Sequence, residues 1–277
     1  MKRKKLLILS FACILVALCL VLYPLIGNLM SEKHHSDLET SYAEALDEVT
    51  DQEIQDAYDA AVAYNSMLAE GISSAPPVAY RNHLNVTEDG IMGYVHIPKL
   101  GIELPICHGT DAETLEHAVG HVVGTSLPVG GESTHAVLSA HSGMAVSKLF
   151  SDLDKLAEGD VFYITVLGQT LAYQVDQISV VEPTDTSKLQ IENGKDYVTL
   201  VTCTPFGVNS HRLLVRGERT EVPEITAISA ENEQPMDSPS TWTQHYLKGL
   251  GIGAALLSVS LGVYFIYRIY RRKKCEK

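Results

Sequence analysis

The stretch from Thr199 to Arg212 carries a cysteine and an arginine whose spacing could place them at one reactive site. Cys203 ends a β-branched run of the kind that forms a buried strand. Pro205 and Gly207 then break that strand into a loop, and Arg212 opens the next apolar run. We therefore predict Cys203 and Arg212 at neighbouring strand ends, where both side chains can converge on one ligand.

These residue types suit acyl transfer. A catalytic cysteine needs a base that makes or keeps its thiolate, and the reaction also needs a cation or donor for the oxyanion. His141, at the end of the β-like run 135–140, is the candidate base, and Arg212 is the candidate cation. The alternative interpretation of Cys203 is a packed small hydrophobic residue, because cysteine is among the most buried residue types.

The eleven histidines raise the question of a metal site. His117 and His121 are four residues apart, but no Glu follows the first, as a zinc protease motif requires. No cysteine or carboxylate stands at ligand spacing. We therefore predict neither a metal nor a cofactor. The chain also has no G-x-S-x-G elbow, which argues against a serine hydrolase of that class.

Apolar segments near both ends predict membrane anchors. Four basic residues precede the uncharged segment 6–30, which is long enough to cross a bilayer and has no A-x-A-like cleavage site after it. The segment 249–267 is also uncharged, and a basic tail follows it. Cationic flanks mark the cytoplasmic side. Both termini are therefore predicted in the cytoplasm, and the part between the two transmembrane helices is predicted to be extracellular.

The extracellular part is strongly acidic. The whole chain has a net charge of −13, and the two tails hold ten of its 21 Lys and Arg and one of its 34 Asp and Glu, so the remainder carries 11 − 33 = −22. This charge argues against a nucleic acid partner. Cys107 and Cys203 are the two cysteines of this part, and a disulfide between them is the structural alternative to a reactive Cys203.

From residue 91 onwards, short β-like runs separated by Gly and Pro predict a closed barrel or a sandwich. Before them, the segment 36–70 is predicted to form two short helices, with Thr50 and Glu53 as a capping box. Further short helices are predicted near 112–119 and 147–156. The β-like runs are 93–98, 102–107, 135–140, 161–167, 171–181, 197–202 and 212–219.

Several of these stretches resemble the sortase family. The general matches are Thr199-Leu-Val-Thr-Cys203, Ala140-His141-Ser-Gly143 and His211-Arg212-Leu-Leu-Val-Arg-Gly217. Four further stretches resemble the class C, pilin-polymerising subgroup: Gly93-Tyr-Val-His-Ile-Pro-Lys99, Leu104-Pro-Ile-Cys-His-Gly-Thr110, the segment 120–131 and the continuation from Thr202 to Arg212. The similarity covers about residues 90–220, and the double membrane anchor is similar to that subgroup as well.

The resemblance implies a mainly β fold, an eight-stranded sortase barrel, and a cysteine transpeptidase of Gram-positive cells that acts on exported proteins with an LPXTG-type sorting signal. In that mechanism Cys203 attacks the Thr–Gly bond and forms a thioacyl enzyme. His141 serves as general acid and base, and Arg212 stabilises the oxyanion or holds the substrate. In class C the acceptor amine is usually a lysine of another pilin subunit, so pilins and the membrane are the expected partners.

Two alternatives to a pilin polymerase stay open. One is a sortase that anchors surface proteins to peptidoglycan. The other belongs to a different class, a non-catalytic membrane-tethered scaffold in which Cys203 is structural. Two departures from the class C pattern also stand out: the loop 73–80 lacks the Asp-Pro-aromatic triplet of the subgroup's lid, and Cys107 occupies a position where another residue type is expected.

These observations divide the chain into seven parts. The predicted parts are a basic tail and first anchor at 1–30, an extracytoplasmic helical segment at 31–71, a loop in the place of a divergent lid at 72–89, the catalytic barrel at 90–220, a linker at 221–243, a second transmembrane helix at 244–267 and a basic cytoplasmic tail at 268–277.

Overall fold

A computed structural model of the chain describes residues 2–72, 80–87, 90–143, 147–222, 246–255, 257–258 and 262. The chain divides into two compact units. One is continuous from Leu22 to Asp237, and the other joins residues 1–21 to residues 238–277. The β-strands and all the candidate site residues belong to the continuous unit.

Eight strands form a closed barrel in the order β1-β2-β3-β4-β7-β8-β6-β5, which confirms the predicted mainly β, eight-stranded fold. Two of the pairings, β2 with β3 and β4 with β7, are parallel, and the others are antiparallel. The strands are β1 (Ile91–Ile97), β2 (Ile102–His108), β3 (Val119–His121), β4 (Thr134–Ser139), β5 (Val161–Val166), β6 (Gln169–Val181), β7 (Asp196–Thr204) and β8 (His211–Thr220).

Alternating side chains divide each strand near the candidate site between an inner and an outer face. On β7, Val198 and Leu200 lie in the main core, whereas Val201 belongs to a small separate cluster on the other face. That cluster joins four buried side chains from neighbouring strands and is packed against partly buried Val122 and Leu189. The four are Val137 of β4, Val181 of β6, Val201 of β7 and Leu214 of β8.

Two helices precede the barrel, α1 (Lys2–Glu48) and α2 (Asp51–Ala69). The predicted capping box is present between them, with Thr50 and Glu53 each accepting from the other's backbone N–H. The structure has two helices in the region 36–70, as predicted, but the first of them is not short. It begins at Lys2, well before residue 36. The buried side chain of Asn65 fastens α2 to the barrel, since it donates to the carbonyl of Leu127 and accepts from the Leu127 N–H.

Two short helices differ from the prediction. The helix predicted at 112–119 is α3 (Ala112–His117), and it ends early because Val119 already belongs to β3. The helix predicted at 147–156 is wrong: this segment forms turns and a single 3-10 turn at Leu153–Lys155. Leu149 has a φ of 38°, which lies outside the range of a right-handed helix.

Within the described residues, no helix combines the length and the apolar composition that a membrane crossing needs. The first predicted anchor, 1–30, lies on α1, and the side chains of most residues before 21 are not described. The second anchor at 244–267 is described at residues 246–255, 257–258 and 262, which are helical. The tail at 268–277, nearly all of the linker at 221–243 and the loop 73–79 of the predicted lid lie outside the described residues.

Candidate active site

Cys203 and Arg212 lie directly opposite each other on the antiparallel strands β7 and β8. Residues in such pairs have Cβ atoms about 5 Å apart, so both side chains can contact one ligand. Cys203 follows Val201 at the alternate position of β7, and Arg212 precedes Leu214 at the alternate position of β8. The alternation therefore assigns Cys203 and Arg212 to the outer face of the barrel, beside the small apolar cluster.

His141 follows β4, which runs parallel to β7. Ser139 is the partner of Val201 in this pairing. Because the two strands run in parallel, His141 and Cys203, each two residues further on, come to the same level. Hydrogen bonds continue past the end of the ladder, from Ala140 N to the carbonyl of Val201 at 3.1 Å and from the Thr202 hydroxyl to the carbonyl of Ala140 at 2.8 Å. The structure therefore brings the three predicted residues, Cys203, His141 and Arg212, to the same end of the barrel.

The segment after His141 is tied back to the barrel at several points. The Ser142 hydroxyl donates to the carbonyl of Cys203 at 2.6 Å. The N–H of Gly143 donates to the Ser151 hydroxyl at 3.0 Å, and the N–H of Phe150 donates to the carbonyl of His141 at 3.1 Å. These bonds fix the position of His141 relative to the cysteine strand.

The turn that connects β7 to β8 packs against the same segment. Gly143 has a φ of 79°, and a Cβ added to it would meet the Phe206 ring at 3.6 Å. The positive φ favours glycine at this position, and the ring lies within ordinary van der Waals contact of it. The N–H groups of Val208 and Asn209 both bond to the carbonyl of Pro205, which closes the turn.

The Arg212 guanidinium contacts its own turn. Its Nη1 donates to the carbonyl of His211 at 3.1 Å and to the carbonyl of Asn209 at 3.3 Å. A guanidinium has five N–H donors in a rigid plane. These two contacts therefore orient the group while it keeps the capacity to bind an oxyanion or a substrate carbonyl.

A cavity of about 20 Å³ opens beside Cys203. Its walls come from the cysteine strand, from β8 and from the segment that follows His141, and they include Ser142, Ser151, Asp154, Cys203, Phe206 and Leu213. Partial burial of the carboxyl raises the pKa of Asp154, and the negative charge of Asp152 raises it further, against an opposing effect of Lys155.

The disulfide alternative is wrong, because Cys107 and Cys203, both in the described part of the chain, form no disulfide. Three strand spacings of about 4.8 Å separate β2 from β7, whereas bridged cysteines have Cα atoms less than about 7 Å apart. Cys107 packs instead against a cluster of Tyr42, Ile91 and Tyr94 on the side of α1. The described residues also include no group of three His, Cys, Asp or Glu side chains arranged to hold a metal ion.

Sequence reasoning missed three polar residues of this site. Ser142 is part of the Ala140–Gly143 motif, which assigns it no role, and Ser151 and Asp154 are in the segment 147–156, for which the sequence predicts a helix. Their contribution depends on how residues 142–143 and 147–155 pack against β7 and β8. The Asp and Ser residues of this segment carry no spacing signal that would have revealed it.

Comparison with known proteins agrees with this geometry. The sortase domain model matches residues 95–220. The crystal structure of sortase C1 from Streptococcus agalactiae is similar, with a TM-score of 0.65 and 43% sequence identity over 67% of this chain and 99% of that one. A Clostridium perfringens sortase C, solved with the C-terminal cell wall sorting motif, has a TM-score of 0.61 and 45% identity over 68% of this chain and 100% of that one.

Sortase D of Bacillus subtilis (strain 168) is 32% identical over 130 residues, which are 46% of this chain and 63% of the relative. The match thus spans less than two thirds of that curated relative. The sortase C structures, in contrast, are covered almost completely at more than 40% identity. From the barrel, the domain match and these structures together, we conclude that the chain belongs to the sortase family of cysteine transpeptidases and resembles its class C members.

Proposed function

We propose that the chain cleaves an LPXTG-type sorting signal between Thr and Gly and transfers the Thr acyl group to an amine. The observation that carries this proposal is the strand register that aligns Cys203 with Arg212 and, one strand away, with His141. A nucleophile, a proton carrier and a permanent cation at one end of one barrel are the three groups that acyl transfer to a thiol requires.

In the first half of the proposed reaction, the Cys203 thiolate attacks the carbonyl carbon of the Thr. Arg212 binds the developing oxyanion with its N–H donors. As the C–N bond breaks, His141 in its imidazolium form gives a proton to the leaving glycine amine. The product is a thioester on Cys203, which keeps the acyl group reactive toward amines.

The apolar cluster next to Cys203 supports the strand ends that carry the site. Val201 and Leu214 are two residues, about 7 Å, along their strands from Cys203 and Arg212. Val137 continues the same cluster on β4, and its four core side chains are buried. The likeness to the Clostridium perfringens sortase C that was solved with the C-terminal cell wall sorting motif supports a sorting signal as the substrate.

For the acceptor, we propose a lysine amine of a pilin subunit. The class C motifs and the likeness to sortase C structures support this choice. We also propose that the apolar segments 6–30 and 249–267 anchor the enzyme in the membrane with both termini in the cytoplasm. Anchoring would keep the enzyme where exported proteins emerge.

The test is intact mass spectrometry of the full chain in detergent after incubation with an LPXTG-type peptide. We expect a mass increase equal to the peptide up to its Thr, which hydroxylamine removes and which Cys203→Ala does not form. A readily alkylated Cys203 that never forms the adduct with any LPXTG-type peptide would contradict the proposal. Supplying a lysine-bearing pilin and a lipid-linked peptidoglycan precursor in parallel then identifies the acceptor, and a product with the precursor alone would indicate wall anchoring.

A further inference from the structure

We propose that Asp154 receives the acceptor amine, binding its ammonium group beside Cys203 in the second half of the reaction. This inference rests on the proposed function, which supplies the thioester that the amine attacks. Asp154 lines the same cavity as Cys203, at the end of the strand pair that carries Cys203 and Arg212. A carboxylate that lines this cavity can attract a cation into it.

The backbone holds Asp154 in a fixed relation to the site. Phe150 N–H bonds to the carbonyl of His141, and Leu153 N–H bonds to the carbonyl of Phe150. Asp154 follows within the 3-10 turn at Leu153–Lys155. Backbone hydrogen bonds through Phe150 therefore connect the turn that carries Asp154 to the proposed general base.

The cavity has a size that fits this role. Its volume of about 20 Å³ exceeds the minimum of roughly 10–15 Å³ that one water-sized group needs. The ammonium head of a lysine is of about that size, and its aliphatic stem can extend out to solvent. Phe206 and Leu213 supply apolar walls, and Ser142 and Ser151 supply hydroxyl oxygens.

The charges around the 3-10 turn single out Asp154 among its neighbours. The Asp152 carboxylate is 3% exposed and pairs with the Lys155 ammonium at 3.3 Å. Asp154, in contrast, stays accessible to solvent and lines the cavity together with Cys203. The raised pKa of Asp154, caused by partial burial and then by Asp152, makes this carboxylate a stronger base than an ordinary aspartate.

The proton balance of the reaction explains why a second acid–base group helps. An acceptor lysine arrives as an ammonium with three N–H bonds and ends as an amide nitrogen with one, so two protons must leave it. As the new C–N bond forms and the C–S bond breaks, sulfur departs as the Cys203 thiolate, and neutral His141 takes up one proton. The second proton passes to the Asp154 carboxylate and from there to water.

Hydrolysis of the same thioester has a different requirement. Water is neutral, and it loses one proton to His141 as the C–O bond forms and the C–S bond breaks. The resulting carboxylic acid then ionises in solvent. Asp154 should therefore favour transfer to an amine over hydrolysis, without a part in forming the thioester.

The experiment measures, on the full chain in detergent, how the thioester divides between transfer to an amine and hydrolysis. The thioacyl enzyme is formed from an LPXTG-type peptide, and N-acetyl-lysine methylamide is supplied as the probe acceptor. For Asp154→Asn we expect thioacyl formation within about twofold of the parent and a ratio of amide to hydrolysis product about tenfold lower at pH 7. Because the free amine of lysine increases toward its pKa of about 10.4, that ratio should recover at pH 9.5.

Matched variants separate this role from general damage. Asp154→Glu keeps the charge and should retain part of the preference for the amine. Glu158→Gln removes a neighbouring exposed charge outside the cavity and should leave the ratio unchanged. An unchanged ratio in Asp154→Asn, or equal losses of amide and hydrolysis product, would overturn the assignment. Failure of the parent to form a thioacyl enzyme would overturn the proposed function, and with it this inference.

Discussion

The hydroxyl of Ser142 donates a hydrogen bond of 2.6 Å to the carbonyl oxygen of Cys203. This bond connects the residue next to the proposed base with the backbone of the proposed nucleophile, although the two are 61 positions apart in the chain. β4 ends at Ser139, so the ladder itself does not reach His141. The side chain of Ser142 thus extends the connection between the two strands beyond the last ladder pair.

Removing that hydroxyl should loosen the site. We expect Ser142→Ala to lower kcat/KM for thioacyl formation roughly tenfold, because small displacements of reacting groups cost orders of magnitude in rate, and to lower the free energy of unfolding by about 1 kcal/mol. Stopped-flow acylation and urea denaturation measure the two effects. Ser133→Ala is the matched control: it removes a hydroxyl that bonds to Gly194 N and Asn193 at the other end of β4, and only stability should change. Unchanged acylation in Ser142→Ala would contradict the positioning role.

Arg212 should not be replaceable by lysine. Its Nη1 bonds to two backbone carbonyls of its own turn, and a lysine ammonium cannot keep those contacts and also present a planar set of donors to an oxyanion. We expect Arg212→Lys to lower the single-turnover rate of thioacyl formation roughly 100-fold.

The control for this prediction is Arg219→Lys. Arg219 lies on the same strand near its other end, with its guanidinium 5.6 Å from the centre of the Tyr173 ring. We expect this variant to acylate like the parent. Full activity in Arg212→Lys would show that positive charge alone suffices at position 212.

The barrel could be predicted from the sequence because of the residue pattern of its strands. Most of them either alternate apolar and polar residues or contain runs of β-branched residues between glycines and prolines. β2 and β7 begin and end close to the predicted runs. The sequence does not predict β3, because three residues are too few to show an alternation of apolar and polar side chains. Its first residue, Val119, also extends the apolar pattern of the preceding helix. The helix predicted at 147–156 rests on the helical spacing of Leu149, Leu153 and Leu156. In the structure these three side chains are buried, but a φ of 38° at Leu149 and a 3-10 turn give the segment the path of a loop.

The site could be predicted only in part. Cys203, His141 and Arg212 stood out through residue type and family motif, and strand register brings them together. The hydrogen bonds of Ser142 and Ser151 and the position of Asp154 depend on the path of a loop across two strands that are distant in sequence. No local sequence pattern specifies such a path, so the sequence alone does not identify these residues as parts of the site.

Asn65 connects α2 to the barrel, because its side-chain amide donates to the Leu127 carbonyl and accepts from the Leu127 N–H. We expect Asn65→Ala to lower the free energy of unfolding by roughly 1–3 kcal/mol, because it leaves the buried N–H of Leu127 without a partner, whereas the Leu127 carbonyl still accepts from Val129 N–H at 2.8 Å. Gln52→Ala, which removes an exposed amide of the same helix that bonds to Asp56, should cost less than about 0.5 kcal/mol. Urea denaturation of the full chain in detergent measures both, and equal costs would rule out a special role for Asn65.

Contact between α1 and the barrel should make stability depend on pH through Glu39. Partial burial, then the negative charge of Glu103 and a hydrogen bond with it, raise the pKa of Glu39 to about 7, against an opposing effect of His96. Glu103 is the cross-strand partner of His96, so the three side chains come from α1, β1 and β2. The folded chain therefore holds this proton to a higher pH than the unfolded chain does.

The sign of the effect follows from proton linkage. Between the ordinary glutamate pKa of 4.5 and the folded-state pKa of about 7, the folded state binds more protons than the unfolded state, so the free energy of unfolding falls as pH rises. Because Glu39 is only partly buried, solvent screening moderates the size of the fall. Glu39→Gln keeps a neutral hydrogen-bonding side chain and should match the parent near pH 4 but exceed its stability at pH 8.

Urea denaturation at pH 4, 6 and 8 measures the difference between Glu39→Gln and the parent, which removes the contributions of all other titrating groups. Glu44→Gln, an exposed change on the same helix, is the control and should change the stability by less than about 0.5 kcal/mol. Glu103→Gln removes the repelling charge and should bring the pKa of Glu39 down toward its ordinary value, so it too should stabilise the chain at pH 8. A stability difference for Glu39→Gln that stays constant across this range would mean that the two carboxyls do not share a proton in the folded protein.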